Sequence, residues 1–479
     1  MPLRTANIVG SGPNGLAAAI TLAQRGVKVT VYERMAQAGG ACCTAELTLP
    51  GFKHDVGATS FPMGVGSPFL TTLPLEKFGL KWIHSPAPLA HPLDDGTAVF
   101  LERDLAATAA QFKDHDRLAW LGLLSPLVDD WPSFIDQVMR PLRSLPSHPL
   151  NMAAFGINAM MPATMLTRLL FRSQPLRALF AGNAAHSVLP LDRPASSAAG
   201  LVLAAAAHAV GWPLVEGGAG RLAQAMADYF VSLGGRIVLN ADITSLDQME
   251  EADATLFDTS PRTLDRIAGS QLTSSFRTRM RHYSYGPGAY KLDWALSAPI
   301  PWAAKGVDRA ATVHIGGQQA EIAKSEAAAF RSKSCDKPFV LLVQPSLFDP
   351  TRAPEGKHTA WAYCHVPNAA GPAPAEDYTE RIEAQVERFA PGFRETILAR
   401  HVHTPQELEG WNPNLIGGDV AGGAMTLSQL VNRPTAHLYE TSNPKLYLCS
   451  ASTPPGGGVH GMCGYLAALT ALKELGPVE

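Results

Sequence analysis

Residues 6–58 carry a glycine pattern that leaves few folds open. Asn7-Ile8-Val9 is a short strand-like segment, and Gly10, Gly12 and Gly15 follow it with the spacing G-x-G-x-x-G. Residues 16–24 form a helix-favouring run that Gly26 ends, and residues 27–32 are rich in β-branched side chains and lead into Glu33. Strand, glycine turn, helix, strand and acid in that order predict a βαβ unit of a parallel sheet. Gly10 permits the tight turn, Gly12 lets the backbone approach a diphosphate, and Gly15 lets helix and strand pack closely. The free amides and partial positive charge at the helix start attract the anion. Glu33 can accept hydrogen bonds from a ribose. A βαβ unit whose glycines serve only as turn residues is the alternative, and the agreement of strand, helix and acid speaks against it.

A second glycine pair, Gly39-Gly40, followed by Ala41, lies beyond what a nicotinamide dinucleotide needs. It fits a longer dinucleotide whose far end is a flavin, so FAD is the expected cofactor. Ser11, Pro13 and Asn14 sit inside the first loop, and Arg34 follows the acid. His54-Asp55-Val56-Gly57 reads as a strand end turning at Gly57, which with Ala58 would face the flavin ring. His54 and Asp55 themselves are expected to form a hydrogen-bonded surface pair. Cys42 and Cys43 read as small packed thiols rather than as points of covalent flavin attachment.

With 479 residues, two or three domains are expected. Hydrophobic residues make up 46% and charged residues 17%, with a net charge of −3, so a nucleic-acid or anionic-membrane partner is not favoured. None of the six cysteines forms C-x-x-C, and the chain enters its first strand at once. The expectation is a reduced, cytoplasmic protein without a signal peptide. His401-x-His403 lacks a recognisable third ligand, so no metal is expected.

Along the chain, residues 87–101 predict a hairpin around Asp94-Asp95-Gly96, and residues 104–230 read as mostly helical. The Met- and Phe-rich residues 152–180 suit a helical core, a lid over an apolar substrate, or both. Residues 198–215 approach membrane-spanning length, but His208, Gly211 and Pro213 favour a buried helix. Shallow membrane contact by this helical region is compatible with the pattern. A helix after Gly217-Gly218, strands over 236–240 and 241–246, and a strand over 253–261 return to β-α-β character. From Pro287 the alternation predicts an antiparallel sheet, with Trp361 and Tyr363 on one strand. At the end, a strand over 445–453 containing Ser452 leads into Gly456, Gly458 and Gly461, which repeat the G-x-G-x-x-G spacing without a following strand. The helix that follows, placed at 465–475, can direct its N-terminus at the flavin's electron-rich side.

The expected fold is therefore α/β. A discontinuous Rossmann-like FAD-binding domain (1–86, 214–285, 441–479) is joined to a mixed or antiparallel-sheet substrate domain (hairpin 87–103, and 286–440) and a helical lid region (104–213).

The Gly10–Gly40 run, Gly217-Gly218, Gly286-Pro287-Gly288-Ala289-Tyr290-Lys291-Leu292-Asp293-Trp294, Asn412-Pro413-Asn414 with Gly417-Gly418-Asp419, and residues 450–464 together resemble the phytoene desaturase-like FAD proteins. Within that group the chain is most similar to the phytoene dehydrogenase-related branch, which shares its architecture with amine oxidases. The resemblance covers nearly the whole chain. It implies FAD contacts at Gly10, Gly12, Gly15, Glu33, Arg34, Gly40 and the Val459-His460-Gly461-Met462 turn, and an adenine contact from the backbone at Asp242-Ile243. Relatives often carry Arg directly after the glycine pair, where this chain has Ala41. The implied activity is oxidation of an apolar, isoprenoid or polyene substrate, with hydride passing to flavin N5 and electrons leaving to oxygen, a quinone or another acceptor. Flavin-dependent isomerisation without net redox change, and a mainly partner-binding flavoprotein, are the alternatives. Candidate catalytic side chains are His460, Tyr465, Trp361 and Tyr363, each of which a packing role would also explain. Oligomer formation stays open.

Overall fold

The computed structural model describes residues 3–144, 149–371 and 375–476. Among them, five parallel strands form one sheet in the order Leu446–Leu448, Ala254–Phe257, Thr5–Val9, Lys28–Tyr32 and Arg236–Val238. The helix Pro13–Ala23 crosses from the first strand to the second, with Asn14 to Leu22 all buried. Proline at its start fits a position whose amide has no helical acceptor. The last helix, Met462–Leu475, packs on this first helix, and the contact needs Gly464, since a Cβ there would overlap the backbone of Asn14. Three stretches far apart in the chain thus close one sheet, and both chain ends meet on it.

Residues 241–246 do not form the expected strand. The Ala241 amide donates to Glu33 O, and Gln248 Oε1 accepts the amides of Thr244 and Ser245 above a short turn, Leu246–Gln248. Side-chain acceptors satisfy the backbone here, so no strand partner is required.

The second sheet has seven strands among the described residues, in the order Ile397–His403, Gly288–Leu296, His358–Val366, Val340–Val343, Ala310–Ile315, Ala87–Pro92, Ala98–Leu101. All pairs are antiparallel except Ala310–Ile315 with Ala87–Pro92, so the sheet is mixed. The predicted hairpin turns at Asp94-Asp95-Gly96, where Gly96 takes a positive φ of 79°. Gly288–Leu296 is buried along its whole length, which explains its apolar and aromatic composition. Thr379–Phe389 lays Ile382, Val386 and Phe389 against this sheet's apolar cluster.

Helices Asp114–Val128, Pro149–Met160 and Gln174–Ala185 pack on the helix Ser197–Ala209, and the last two of the four in chain order also touch the second sheet. The apolar window forms the buried helix Ser197–Ala209, and among the described residues no helix is long and apolar enough to cross a membrane.

Candidate active site: one cavity from the glycine loop to the second sheet

A single cavity of about 960 Å³ runs between the two sheets. One end is lined by Ala241, Asp242 and Ile243, the middle by the glycine loops, and the other end by the second sheet and the helical layer. The glycine loops shape the middle. Gly10 has φ +96° and lies under Asp258 O, and a Cβ on Gly12 would come within 2.5 Å of Asp258 Oδ2. A Cβ on Gly40 would sit 3.0 Å from Gly12 Cα, so the two glycine segments touch across the cavity wall. Side chains at these positions would collide with Asp258 or the facing glycine segment and force the loop out of this shape. Asn14 Oδ1 and Ser60 Oγ line the cavity, buried and without hydrogen-bond partners. A cradle of bare backbone at a helix start, with orphaned polar atoms and room beyond it, fits FAD.

Glu33 is buried and holds the loop as well as facing the cavity. Its Oε2 accepts from the Ser11 amide (2.9 Å) and Ser11 Oγ (2.6 Å), and its Oε1 accepts from the Met35 amide (2.9 Å). Ser11 Oγ also accepts the Gly39 amide at 3.1 Å, which ties the two glycine segments together. Arg34 donates to Trp411 O at 2.9 Å. Ala41 lines the cavity where relatives often have Arg, and its backbone stands so close to Gly57 that a Cβ on Gly57 would overlap it.

Asp258 was not legible as a site residue, although it ends a strand as Glu33 does. Its Oδ2 accepts the Gly15 amide at 2.9 Å, at the start of the first helix. Burial, and then the charge of Glu33, push its carboxyl up to about 7, against the favourable amides of Gly15 and Gly12. A carboxyl raised in the folded state stabilises the fold fully below its unfolded value, and that stability is lost as pH rises through about 7. Asp258→Asn keeps an acceptor for Gly15 and removes the charge. We expect its thermal midpoint to gain on the wild type progressively from pH 4 to pH 7 and to hold that gain above. A difference between the two midpoints that stays constant from pH 4 to pH 7 would refute this.

Of the residues singled out from sequence, Gly10, Ser11, Gly12, Pro13, Asn14, Glu33, Arg34, Gly40, Ala41, Gly57, Ala58, Ile243, Ser452, Val459 and His460 line the cavity, as do Trp361 and Tyr363. Gly15, Gly39, Gly461, Met462 and Tyr465 stand outside its lining. Tyr465 stacks on Phe69 at 4.9 Å between ring centres, a packing contact. His460 Nδ1 accepts the Met462 amide at 3.0 Å, which satisfies a donor at the last helix's start. Burial pushes its ring down to about 4, so it is neutral at pH 7.

His54 and Asp55 are not a surface pair: each is about 1% exposed. Asp55 lies 2.9 Å from Arg352 in a buried ion pair, and it accepts from Thr59 Oγ1, Thr44 Oγ1 and the Ala219 amide. The pattern K-H-D misled because Lys53–Asp55 is a short inner strand lying against the second sheet's residues. Its polar side chains meet buried partners that no local signal reveals. Cys42 lines the cavity, and burial pushes its thiol well up, so the thiolate is disfavoured. His401 and His403 approach at 3.4 Å between Nε2 atoms, and among the described residues no group of three potential ligands gathers.

The second sheet adds residues that sequence reading did not assign. Lys291, buried, reaches the cavity, pairs with Asp293 and stands 5.6 Å from the centre of the Trp361 ring. Tyr363 meets Trp361 edge-on at 5.3 Å. Alternation along Gly288–Leu296 puts Lys291 and Asp293 on one side, and register brings them opposite Tyr363 and Trp361.

Comparison with known proteins agrees with this architecture. The chain is similar over 99% of its length, at 28% identity, to "Pyridine nucleotide-disulfide oxidoreductase domain-containing protein 2" of Mus musculus, covering 94% of that protein. It is 23% identical to one of the subunits of limonene dehydrogenase from Castellaniella defragrans, over 98% of this chain and 94% of that one. It is 25% identical to the lycopene-forming phytoene desaturase of Pseudescherichia vulneris, over 54% of this chain and 55% of that one. Among solved structures, an oxidoreductase from Methanosarcina mazei superposes with a TM-score of 0.62 at 15% identity, covering 98% of this chain and 100% of that one. Putrescine oxidase bound to putrescine superposes at 0.60 and 17% identity, with 98% of each chain covered. These structures share the fold. Residues 14–281 match the family described as flavin containing amine oxidoreductase, and with the cradle that fits FAD this assigns the chain to that family, as an FAD-dependent oxidoreductase.

Proposed function

We propose that the chain oxidises an apolar isoprenoid or polyene substrate that occupies the cavity between the flavin cradle and the second sheet. The carrying observation is the lining of that end: Met152, Phe155, Ala159, Val202, Leu203, Leu341 and Val343 supply an almost continuous apolar wall. Such a wall binds by excluding water and offers a polar substrate few partners. FAD, when bound, supplies a hydride acceptor. The chain's own residues orient the hydrocarbon against Trp361 and Tyr363 and keep water from the reacting carbons.

An amine substrate finds less support, despite the likeness to putrescine oxidase. The names of the limonene- and phytoene-acting relatives point the same way as the lining. Entry for such a substrate is offered by the cavity rim at Leu142 and Met160, which are 68% and 49% exposed. Ile157 on the helix Pro149–Met160, and Met165 and Leu169 on the helix Ala163–Leu170, are exposed as well, and apolar side chains of this kind suit the collection of hydrocarbon from a bilayer.

The test is anaerobic mixing of the FAD-loaded protein with phytoene or limonene in phosphatidylcholine liposomes, and separately with putrescine. Bleaching of the flavin band by a polyene and not by putrescine is the expected result. An altered polyene without bleaching would indicate isomerisation, and silence toward every probe would remove the oxidation reading.

A further inference from the structure

We propose that His186, backed by His314, accepts the substrate proton during oxidation. This rests on the reading that the cavity's substrate loses a hydride. Removing two hydrogens from adjacent carbons sends one away as hydride and leaves the other to depart as a proton, which needs an acceptor facing the hydrocarbon.

His186 follows the helix Gln174–Ala185 at its C-terminal end, and its side chain lines the cavity. Trp212 stands edge-on to the His186 ring at 5.7 Å, and His314 lies behind it at 5.1 Å between ring centres. The Nε2 atoms of His186 and His314 are 3.0 Å apart. Two imidazoles can meet at that distance only if one nitrogen carries hydrogen and the other is bare. His314 is fully buried on the strand Ala310–Ile315, and its Nδ1 has no hydrogen-bond partner. It is packed against Gly182 so closely that a Cβ there would come within 2.6 Å of Nδ1. Gly182 therefore makes room for the second ring. Among the described residues, His186 Nδ1 makes no hydrogen bond, which leaves it free to meet a ligand in the cavity.

One of the two arrangements these contacts allow serves a base. With hydrogen on His314 Nδ1, His314 Nε2 is bare and accepts the Nε2 hydrogen of His186. The lone pair of His186 Nδ1 then faces the substrate. In the reaction, the C–H bond on the carbon beside the hydride donor breaks, and its electron pair becomes the new C=C bond. The proton goes to His186 Nδ1, the Nε2 hydrogen of His186 is handed toward His314 Nε2, and it returns as His186 gives up the proton through the cavity. The hydride would leave the other carbon with its own electron pair, for which FAD, when bound, would be the acceptor.

Burial, followed by the charge of His365, holds His186 down to about 3, and burial holds His314 well below its ordinary value. The pair is therefore neutral at pH 7. A neutral acceptor does not repel positive charge developing on the substrate, whereas an imidazolium would. A carbon–hydrogen bond next to such a charge is acidic enough for a weak base. Tyr363 and His365 pack close to His186 with no room for a water between them, and His365 Nδ1 lies 2.7 Å from Glu326 Oε2. His186 is thus the catalytic residue and His314 the positioning residue behind it.

The test uses FAD-loaded wild type, His186→Gln and His314→Phe, each mixed anaerobically with phytoene or limonene in phosphatidylcholine liposomes. We expect His186→Gln to bleach on the order of 10²–10⁴-fold more slowly, the usual contribution of a positioned base. We expect wild-type bleaching to show a solvent deuterium isotope effect that His314→Phe lacks, because the hydrogen between the rings is the only transferred one that exchanges with water. Independently of turnover, nitrogen-15 NMR of histidine-labelled wild type should show coupling between the two Nε2 atoms, lost in His314→Phe. This measurement and the isotope effect carry the test if His186→Gln fails to retain FAD. Wild-type bleaching with an unchanged rate in His186→Gln, or an isotope effect that survives His314→Phe, overturns the proton role and leaves oxidation standing. Absence of the Nε2 coupling overturns the pair. No wild-type bleaching by either hydrocarbon overturns both this inference and the oxidation reading.

Discussion

Replacing Arg352 by methionine is expected to lower the free energy of unfolding by about 3–5 kcal/mol, the usual cost of leaving a buried charge without its partner. Arg352 and Asp55 are each about 1% exposed and 2.9 Å apart. Burial alone would push the Asp55 carboxyl up, yet Arg352, Thr59, the Ala219 amide and Thr44 together hold it below the usual carboxylate range. A depressed carboxylate contributes stability above its unfolded value, and this is lost as pH falls through the folded one. The wild type should therefore lose stability in acid, and Arg352→Met should lose less, because its Asp55 no longer has the cation to forfeit. Asp55 also holds the turn before the helix Gly220–Ser232, while Arg352 Nε donates to Lys53 O at 3.2 Å. The pair thus fastens the segment beside the flavin cradle to the turn Pro350–Arg352, which connects the strands Val340–Val343 and His358–Val366 of the second sheet, and FAD retention should weaken with stability. Urea unfolding of Arg352→Met, Asp55→Asn and the double variant measures the coupling. Strict additivity of the two single losses would show that the pair carries no interaction of its own.

Gly464→Ala is expected to cost about 3 kcal/mol or more, at the upper end of what one added methyl group does in a packed core. The new Cβ would meet Asn14 O and lie 2.7 Å from Asn14 C and 2.9 Å from Ala18 N. All three are backbone atoms of the first helix, so no side chain can swing aside, and the first and last helices must move apart. Their starts carry Asn14 and, just ahead of the last helix, Val459 and His460, all of which line the cofactor end of the cavity. The purified variant should therefore lose its yellow colour as well as thermal stability. Gly476→Ala serves as the control, since nothing lies within 4 Å of a Cβ there and only its positive φ of 83° is strained. A fully yellow Gly464→Ala protein with wild-type melting would refute the tight helix contact.

Much of the cradle was legible because it is written locally. The turn at Gly10, the helix start at Pro13 and the acid at Glu33 follow within one βαβ unit, where backbone sterics and helix amides constrain residue type at each step. The last glycine loop was legible for the same reason, as a strand, a turn and a helix in sequence. The failures came where partners are remote. Residues 241–246 are β-rich in composition, yet Gln248 and Glu33 satisfy their amides. His54 and Asp55 look solvent-facing in sequence, but they point at Asp293 and Arg352, more than two hundred residues away along the chain. Tyr465 stood near the right loop, and the helical turn after Gly461 sent it toward Phe69 instead of the cavity.

The sequence by itself determined that a strand–glycine–helix unit capable of holding a dinucleotide begins the chain, that a glycine loop with a helix ends it, and that an alternating sheet lies between, because these depend on periodicity and on backbone freedom at single residues. Only the tertiary structure decided that both glycine loops and the second sheet border one cavity, that Lys291, Asp258 and the His186–His314 pair reach it or its wall, and that Asp55 and Arg352 are buried together. Those placements depend on which distant strands become neighbours, and no local rule of side-chain spacing encodes a contact across hundreds of residues.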